Sequence, residues 1–172
     1  MKKWKLIIAT LTLVTIAGGT LFTVWANTLT PAPVAQTQAI QKPTPQPPTV
    51  DELLRLVNEE RAKVGVAPLR VDERVQRSAQ LKATDMDINN YASHIMPSTG
   101  KVLNAEMDSL LSSACIDSSE NLTVISVKTT ERAIYNWVHS EPHYKAMTDP
   151  RYESTGFGIA NSTIVQHFCN EQ

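Results

Sequence analysis

Three short segments of the sequence carry side chains that could act together in a binding or catalytic site. The segment from Trp137 to Tyr144 contains His143, a second segment contains His94, and a third contains Glu120. Two imidazoles and a carboxylate can bind a metal ion or transfer a proton. Neutral imidazole nitrogens suit zinc, and Glu120 could complete a three-ligand site with one open coordination position, as in catalytic zinc centres.

The spacing of these residues does not define such a site by itself. His94 and His143 match none of the short metal-ligand motifs, and an isolated histidine is more often a hydrogen-bonded structural group. Glu120 could equally accept backbone N–H groups at a turn. The other two histidines, His139 and His167, are interpreted as exposed or structural. A shared site and separate structural roles therefore both stay open.

The charge distribution excludes one class of function. The chain of 172 residues has a formal net charge of −1, with 16 basic and 17 acidic residues. Four of the lysines precede position 51, so the segment 51–172 holds 12 basic and all 17 acidic residues, a net charge of −5. Because this segment is acidic and has no cluster of Lys and Arg, we expect no nucleic-acid partner.

The first 26 residues predict export. Lys2-Lys3-Trp4-Lys5 is a basic segment, and an uncharged, mostly apolar run covers residues 6–26. Val24-Trp25-Ala26 is an acceptable signal-peptide cleavage site, but the run could also span about 30 Å of hydrocarbon as a helix. Residues 1–26 are therefore predicted to be a signal peptide or a retained transmembrane anchor. Both alternatives predict an extracytoplasmic protein, either secreted or anchored to the membrane by its N-terminus.

Residues 27–50 have the composition of a linker. Six of the ten prolines lie in this segment, which shows no hydrophobic periodicity. Such a segment cannot bury enough apolar surface to offset the entropy of ordering it, so we expect a Pro-rich, disordered, partly polyproline linker. At about 3.1 Å per residue, it could hold a domain several tens of ångströms from a membrane.

Residues 51–172 show the patterns of one folded domain. Thr49-Val50-Asp51-Glu52 is a capping box, and apolar residues at helical spacing predict a first helix that Gly65 ends. Asp72 can cap a second helix that continues to Met86.

The second half of this domain combines short helices with two late strands. A short helix is predicted over 102–111, followed by an irregular segment over 112–120. The next helix is capped by Thr129 or Thr130 and ends before Pro142. Two strands over 156–160 and 163–168 are then predicted to form a hairpin. Helices early and strands late, without β-α-β alternation, indicate an α+β class with helices packed on a small antiparallel sheet.

Cys115 and Cys169 are the only cysteines in the chain. In an exported protein, a disulfide between them is the first expectation, and it would contribute roughly 3–4 kcal/mol to stability. Two alternatives stay open. The thiols could be unpaired, or Cys115 could be a nucleophile with His143 as its base, although no local motif supports that role.

The order of the motifs in residues 51–172 resembles the bacterial branch of the CAP superfamily, whose module is also called the SCP domain. The motifs that carry this resemblance are Val57-Asn58-Glu59-Glu60-Arg61, Pro68-Leu69, Ser93-His94, Glu120-Asn121-Leu122, Trp137 with Ser140 and His143, Gly156-Phe157-Gly158, and Val165-Gln166-His167-Phe168. The resemblance implies a three-layer α-β-α sandwich with two histidines and acidic residues at a shared surface cleft, which in various members holds a divalent metal.

At the positions that match the family motifs, the resemblance implies that His94, Glu120 and His143 are the cleft residues and the candidate metal ligands. Many eukaryotic members have a second acid three residues after the tryptophan, where this chain has a serine. The neighbouring Glu141 could take the place of this second acid only if the chain were shifted by one residue, so it is a candidate cleft residue. Tyr144 could line the cleft. Zinc is the candidate cofactor that follows from the resemblance and from the ligand types.

Two functions are predicted for this cleft. The first is an extracytoplasmic CAP/SCP-domain protein that binds a ligand or an envelope or extracellular partner, with a divalent metal or a lipid as candidates and without established turnover. The second is a metal-dependent hydrolase of peptide or cell-wall substrates, with Glu120 as metal ligand or general base. Whether the protein is an enzyme is left open by the sequence, and an inert spacer or adhesion module is a third interpretation.

Overall fold

The computed structural model describes residues 46–126 and 129–172. Within these residues the chain forms five helices and four strands, in the order α1 (Val50–Lys63), β1 (Arg70–Val71), α2 (Glu73–Ile88), α3 (Ala105–Ser112), β2 (Cys115–Val124), α4 (Thr130–Val138), α5 (Glu141–Met147), β3 (Ser154–Ala160) and β4 (Thr163–Glu171). The predicted N-terminal segment 1–26 and most of the predicted linker lie outside the described residues. Among the helices that are described, none is long and apolar enough to span a bilayer.

Three of the predicted helix starts are confirmed by their caps, whereas the third helix, predicted from residue 102, begins at Ala105 after the cap Asn104. The Thr49 hydroxyl accepts a hydrogen bond from the Glu52 N–H at the start of α1. The Asp72 carboxylate accepts from two backbone N–H groups at the start of α2, and the Thr129 hydroxyl accepts from one at the start of α4. These contacts satisfy N–H groups that have no partner inside the helix, so they fix where each helix begins.

Two elements differ from the expectation. The sequence predicts an irregular segment over 112–120, but most of this segment belongs to β2, a ten-residue strand whose polar side chains give no strand pattern. The sequence also predicts that helical structure ends before Pro142, whereas this proline lies in the first turn of α5. A proline is tolerated there because the first N–H groups of a helix need no intrahelical partner.

The α+β class is confirmed, and the sheet is mixed rather than wholly antiparallel. The strand order is β1-β3-β4-β2, in which β4 pairs antiparallel with both neighbours. The short strand β1 pairs parallel with β3. Parallel pairing is possible because the long connection from β1 to β3, which contains most of the helices, provides the required crossover.

Helices pack on both faces of the sheet. Ile164 and Phe168 of β4 belong to the main core cluster, together with Trp137 of α4. The alternating residues Val165 and Cys169 belong to clusters with residues of α2 and α3 on the opposite face. Because side chains alternate along a strand, β4 contributes to both hydrophobic layers.

Helix α2 lies directly on β3. A Cβ atom added at Gly156 would lie 2.1 Å from the backbone nitrogen of Gln76. Two glutamines of α2 also bond to the backbone of β3. The N–H of Phe157 donates to the side-chain oxygen of Gln76 at 2.8 Å, and the N–H of Ile159 donates to that of Gln80 at 3.0 Å. The two glutamines thereby satisfy backbone groups of β3 beyond the end of β1, and they fix α2 relative to the sheet.

The predicted disulfide is confirmed. Cys115 of β2 and Cys169 of β4 are bonded, with their Cα atoms 5.3 Å apart and a sequence separation of 54 residues. Since both cysteines are consumed, neither the unpaired-thiol alternative nor a nucleophilic Cys115 holds. Closing a loop of this length is worth about 4 kcal/mol in the chain-entropy model, and the bond ties the edge strand β2 to the rest of the sheet.

Candidate functional site

The candidate site is organised around the carboxylate of Glu120, in the middle of β2. Its side chain is only 7% exposed. The two oxygens each accept one hydrogen bond, Oε1 from Nδ1 of His94 at 2.6 Å and Oε2 from Nε2 of His167 at 3.0 Å. The structure therefore places Glu120 between two histidines that come from different parts of the chain.

Strand register brings Glu120 and His167 together. The two residues are directly opposite each other in the antiparallel pair of β2 and β4. Directly opposed residues on neighbouring strands place their side chains on the same face of a sheet. That face is the one covered by α2, because the flanking residues Val165 and Cys169 point toward this helix.

A buried lysine holds the loop that carries His94. Lys82 of α2 has no exposed surface, and its ammonium group donates to the backbone carbonyls of His94 at 2.5 Å and Val102 at 2.9 Å. Burial lowers the pKa of Lys82, and the charge of Glu120 opposes this effect. Because a charge-assisted bond is stronger than a neutral one, this lysine fixes the loop between α2 and α3 at two separate points.

The environment of Glu120 favours its ionised form. Burial by itself raises the pKa of this carboxyl, but the hydrogen bonds from His167 and His94, together with the charge of Lys82, outweigh burial and lower the pKa below its usual value. Hydrogen bonds donated to a carboxylate stabilise the charged form. Glu120 is therefore an acceptor at neutral pH.

Replacing Glu120 with glutamine is expected to lower the free energy of unfolding at pH 7 by about 2 kcal/mol, since charged hydrogen bonds are lost. Because the pKa of the folded protein is lowered, the stabilisation by the carboxylate is fully present above the pKa of the unfolded chain and is lost as the pH falls through the folded value. The stability difference between wild type and Glu120→Gln should thus shrink in acid. Urea unfolding from pH 7 to pH 3 measures it, and a constant difference would contradict the assignment.

The ionised carboxylate also determines which ring nitrogens carry protons. Glu120 can only accept, so Nδ1 of His94 and Nε2 of His167 must donate to it. In the neutral rings, Nε2 of His94 and Nδ1 of His167 are then acceptors. The Nδ1 atom of His167 lies 3.1 Å from the hydroxyl of Ser78, which can donate to it. These tautomers follow from the hydrogen-bond partners.

His143 lies beside His94 at the edge of the sheet. The centroids of the two rings are 6.5 Å apart, with an angle of 50° between their planes. The backbone carbonyl of His143 accepts a hydrogen bond from the Asn121 side chain at 2.9 Å, which attaches α5 to β2. Burial, followed by the charge of His94, lowers the pKa of His143, so its ring is neutral at neutral pH.

The other two predicted cleft residues lie in different surroundings. Glu141 is 79% exposed and forms an ion pair with Lys145 one turn further along α5. Its carboxylate therefore bonds to Lys145 rather than to a histidine of the site. Tyr144 is half-buried and packs against the main core cluster. The structure brings together His94, Glu120 and His143 from the predicted set, and it adds His167.

His167 is a neighbour of Glu120 that the sequence interpretation did not place in the site. Of the two alternatives given for it, exposed or structural, the first is wrong, since the residue is 1% exposed and contacts the central carboxylate. The available signal was its position in the run Val165-Gln166-His167-Phe168-Cys169, where the alternation places it on the same face as two apolar residues. A histidine on a buried face needs a polar partner, but only the strand register identifies this partner as Glu120.

A three-ligand zinc centre does not fit this arrangement. Both oxygens of Glu120 accept hydrogen bonds from ring N–H groups, so in this arrangement the carboxylate is a hydrogen-bond partner of the histidines rather than a metal ligand beside them. Within residues 46–126 and 129–172, no three His, Cys, Asp or Glu side chains are grouped so that they could hold a metal ion. His94 and His143 alone supply two imidazoles, one fewer ligand than a catalytic zinc site uses.

Two neighbouring cavities lie on the Glu120 side of the molecule. A cavity of about 70 Å³ reaches the carboxylate and His167, and its wall includes Val102 and Leu103. The same two residues line a larger surface cavity of about 690 Å³ along the start of α3. A ligand in the larger cavity would therefore contact apolar side chains on the side that leads to Glu120 and His167.

The chain belongs to the CAP superfamily, the cysteine-rich secretory protein family, whose family model matches residues 54–169. The resemblance that the sequence motifs indicate is thus confirmed. Among curated proteins, the chain is 31% identical over 140 residues to the uncharacterized protein YkwD of Bacillus subtilis. It is 29% identical over 120 residues to the uncharacterized membrane protein YlbC of the same organism.

These relatives are longer than the matched region. The first alignment covers 79% of this chain but 53% of YkwD, and the second covers 68% of this chain but 33% of YlbC. The chain therefore spans about half of one relative and a third of the other. What the relatives do as whole proteins does not carry over from this match.

Solved structures share the fold. An extracellular protein with an SCP domain from Bacillus anthracis matches with a TM-score of 0.64 and 22% identity, over 71% of this chain and 40% of that one. An outer surface protein from Borrelia burgdorferi matches with a TM-score of 0.60 and 16% identity, over 75% of this chain and 100% of that one. At these identities the likeness concerns the fold alone.

Proposed function

We propose that this protein is an extracytoplasmic CAP/SCP-domain protein that binds a ligand through His94 and His143. One observation carries the proposal. The Nδ1 atom of His94 is bonded to the buried Glu120, while the His94 side chain is 49% exposed. The ring is therefore held in a fixed orientation by one nitrogen and leaves Nε2 available to a ligand.

The chemistry of the surroundings suggests the kind of ligand. In its neutral form the His94 ring offers an acceptor at Nε2, and the neighbouring His143 offers a second imidazole. The cavity that reaches Glu120, the hydrogen-bond partner of His94, contributes the apolar side chains of Val102 and Leu103. A molecule with a hydroxyl or amide donor next to an apolar part fits both, which favours a lipid or a segment of an envelope partner over a bare metal ion.

The proposed location is outside the cytoplasm. Among the relatives, one solved structure is described as an extracellular protein, another as an outer surface protein, and YlbC as a membrane protein. These descriptions agree with the export signal predicted from residues 1–26. We further propose that the protein is either held at the membrane by residues 6–26 or secreted after cleavage.

The test uses the histidine side chains of the purified full chain as reporters. With only four histidines, their ring signals can be followed by NMR during titration with a lysophospholipid below its micellar concentration, with muropeptides and with zinc sulfate. We expect saturable shifts at His94 and His143 with one of the first two probes. Alanine at either position should weaken that interaction at least about tenfold, the value of one good hydrogen bond.

His139→Ala is the matched control. His139 stacks on Tyr135 with ring centroids 3.9 Å apart, and its Nδ1 bonds to the Tyr135 carbonyl at the exposed end of α4. This variant should bind like the wild type. If the lysophospholipid and the muropeptides bind equally well to His94→Ala, His143→Ala and the wild type, or if neither probe binds the wild type, the proposal is wrong.

The alternative, a metal-dependent hydrolase of peptide or cell-wall substrates, has one supporting observation. A carboxylate bonded to a histidine, as in the pair Glu120 and His94, is also the arrangement that orients metal-binding imidazoles. The lack of a third ligand among the described residues weighs against it. The hydrolase requires cleavage of peptides or peptidoglycan fragments that zinc supports and a chelator abolishes. That result would replace the first proposal.

A further inference from the structure

We propose that His167 is a positioning residue of the candidate site, which orients Glu120 and, through it, the ligand-facing ring of His94. The inference rests on the proposed function because it concerns how the same site is held in place. It adds two residues that the family motifs and the sequence interpretation did not assign to the site, His167 and its partner Ser78.

The first support is a continuous chain of hydrogen bonds. The hydroxyl of Ser78 is 3.1 Å from Nδ1 of His167, Nε2 of His167 is 3.0 Å from Oε2 of Glu120, and Oε1 of Glu120 is 2.6 Å from Nδ1 of His94. The four residues lie on α2, β4, β2 and the loop after α2. The chain therefore connects a buried helix to a surface histidine through the sheet.

The second support is burial. Ser78 is fully buried and His167 is 1% exposed, whereas the His94 side chain at the other end is 49% exposed. The residues that flank His167 on the same face of β4 are Val165 and Cys169, which pack against apolar side chains. A position of this kind favours an apolar residue because a buried polar ring must have both nitrogens satisfied. Here both nitrogens are satisfied, and one partner is the site carboxylate.

The third support is the direction of the bonds. The ionised Glu120 accepts from Nε2–H of His167, so Nδ1 of the neutral ring can only accept a hydrogen bond, which the Ser78 hydroxyl donates. The Ser78 hydroxyl has one alternative acceptor, the Met107 carbonyl, but this atom is farther away at 3.4 Å. The chain thus has one favoured proton arrangement, and it ends with the proton of neutral His94 on Nδ1 and with Nε2 free.

The consequence is specific. Without a donor at Oε2, the Glu120 carboxylate would have His94 as its only side-chain partner and could rotate, so the geometry of the bond to His94 would be less defined. Burial also raises the pKa of Glu120 with fewer donors to oppose it, so the carboxyl takes up a proton more readily. A protonated Glu120 donates to Nδ1 of His94, and the neutral ring then carries its proton on Nε2, the nitrogen that faces the ligand. His167 would then control whether the site offers an acceptor or a donor.

The test reads the tautomer of His94 directly by nitrogen NMR of histidine-labelled full chain at neutral pH. In the wild type, neutral His94 should carry its proton on Nδ1. In His167→Leu, which removes the donor, the ratio of the two tautomers should change by about tenfold toward the Nε2–H form. In His167→Gln, the amide N–H can replace Nε2–H as donor to the carboxylate, so the wild-type tautomer should be recovered.

A structural role alone would not produce this pattern, since it predicts equal effects of both substitutions on stability and none on the tautomer. If His167→Leu does not fold, Ser78→Ala provides the same test in milder form, because it removes only the donor to Nδ1 of His167. An unchanged His94 tautomer in Ser78→Ala, and in His167→Leu where it folds, would overturn the proposal. His139→Leu, which lies outside the chain of bonds, is the control.

The readout separates this inference from the proposed function. The tautomer is measured without any ligand, so it responds to positioning alone. If His94→Ala abolishes binding of the lysophospholipid or muropeptide but His167→Leu leaves the tautomer unchanged, the binding proposal holds and the positioning role is wrong. If the tautomer changes as expected but neither probe depends on His94, the positioning role holds and the binding proposal is wrong.

Discussion

Replacing Arg61 with alanine is expected to lower the free energy of unfolding by about 5 kcal/mol, because each buried carbonyl that loses its donor costs about 1–3 kcal/mol. Arg61 of α1 has no exposed surface. Its guanidinium donates to the carbonyls of Ala67, Met147, Asp149 and Tyr152, at 2.7 to 3.0 Å. One side chain thereby joins α1 to two separate segments of the chain.

The effect should extend to the candidate site. Three of the four acceptors lie in residues 147–152, at the end of α5 and directly after it, and this helix carries His143. Urea unfolding of Arg61→Ala and Arg61→Lys, monitored by circular dichroism, measures the loss. We expect lysine to recover only part of it, since an ammonium group cannot match the planar, five-donor geometry of the guanidinium.

Arg55 on the same helix is the control for charge. It is exposed and forms ion pairs with Glu52 and Glu59, so Arg55→Ala should cost less than about 1 kcal/mol. If the two alanine variants lose similar stability, the carbonyl contacts of Arg61 do not stabilise the fold as described.

Replacing Gly158 with alanine should be the next most damaging change, with a loss of about 3 kcal/mol or more. An added Cβ would lie 2.0 Å from the carbonyl oxygen of Ala79 and 2.8 Å from the Cα of Gln80. These are backbone atoms of α2, so the clash cannot be relieved by a side-chain rotation. The helix would have to move away from β3, and close-packed interiors resist such movements.

This movement would also disturb the site, because α2 carries Ser78 and Lys82. We therefore expect Gly158→Ala to broaden the ring signals of His94 and His167 as well as to lower the melting temperature.

Gly100→Ala is the control. Gly100 has a φ of +66°, and none of the described residues has an atom within 4 Å of an added Cβ, so only its conformation is strained, at a cost of about 1 kcal/mol. A loss at Gly158 no greater than at Gly100 would show that α2 is not packed as tightly as the distances indicate.

Helix α2 connects the sheet to the candidate site. On one side its backbone contacts β3 so closely that only glycine fits, and on the other side Lys82 holds the loop that carries His94. Ser78, between these contacts, bonds to His167. The position of one helix therefore affects the packing of the sheet, the loop of His94 and the orientation of Glu120.

Local patterns in the sequence determined much of the fold. The caps at Thr49 and Asp72 and the apolar spacing of the first two helices correctly placed α1 and α2. The late hairpin of β3 and β4 followed from two strand-like runs with the turn residues Asn161-Ser162 between them, and the presence of only two cysteines predicted the disulfide. These features depend on residues close in sequence or on a count of one residue type, so they can be predicted without the tertiary structure.

The elements that the sequence did not predict lack such a local signal. Strand β2 contains the polar run Asp117-Ser118-Ser119-Glu120, which has neither apolar alternation nor β-branched residues. It becomes a strand because it pairs with β4 along its whole length, and such long-range pairing overrides local propensity. Helix α5 was missed because Pro142 suggested an end of helical structure, while the proline in fact lies in a first turn.

The candidate site also combines features that local sequence patterns predict with features that depend on long-range contacts. The grouping of His94, Glu120 and His143 came from motif order, and sequence spacing could not decide which of their neighbours join them. Only the tertiary structure shows that Glu141 pairs with Lys145 and that His167 contacts Glu120, because the first depends on the direction of a side chain on α5 and the second on the register between two strands. Register is determined by contacts between residues far apart in the chain, and a shift of one position would turn His167 to the opposite face.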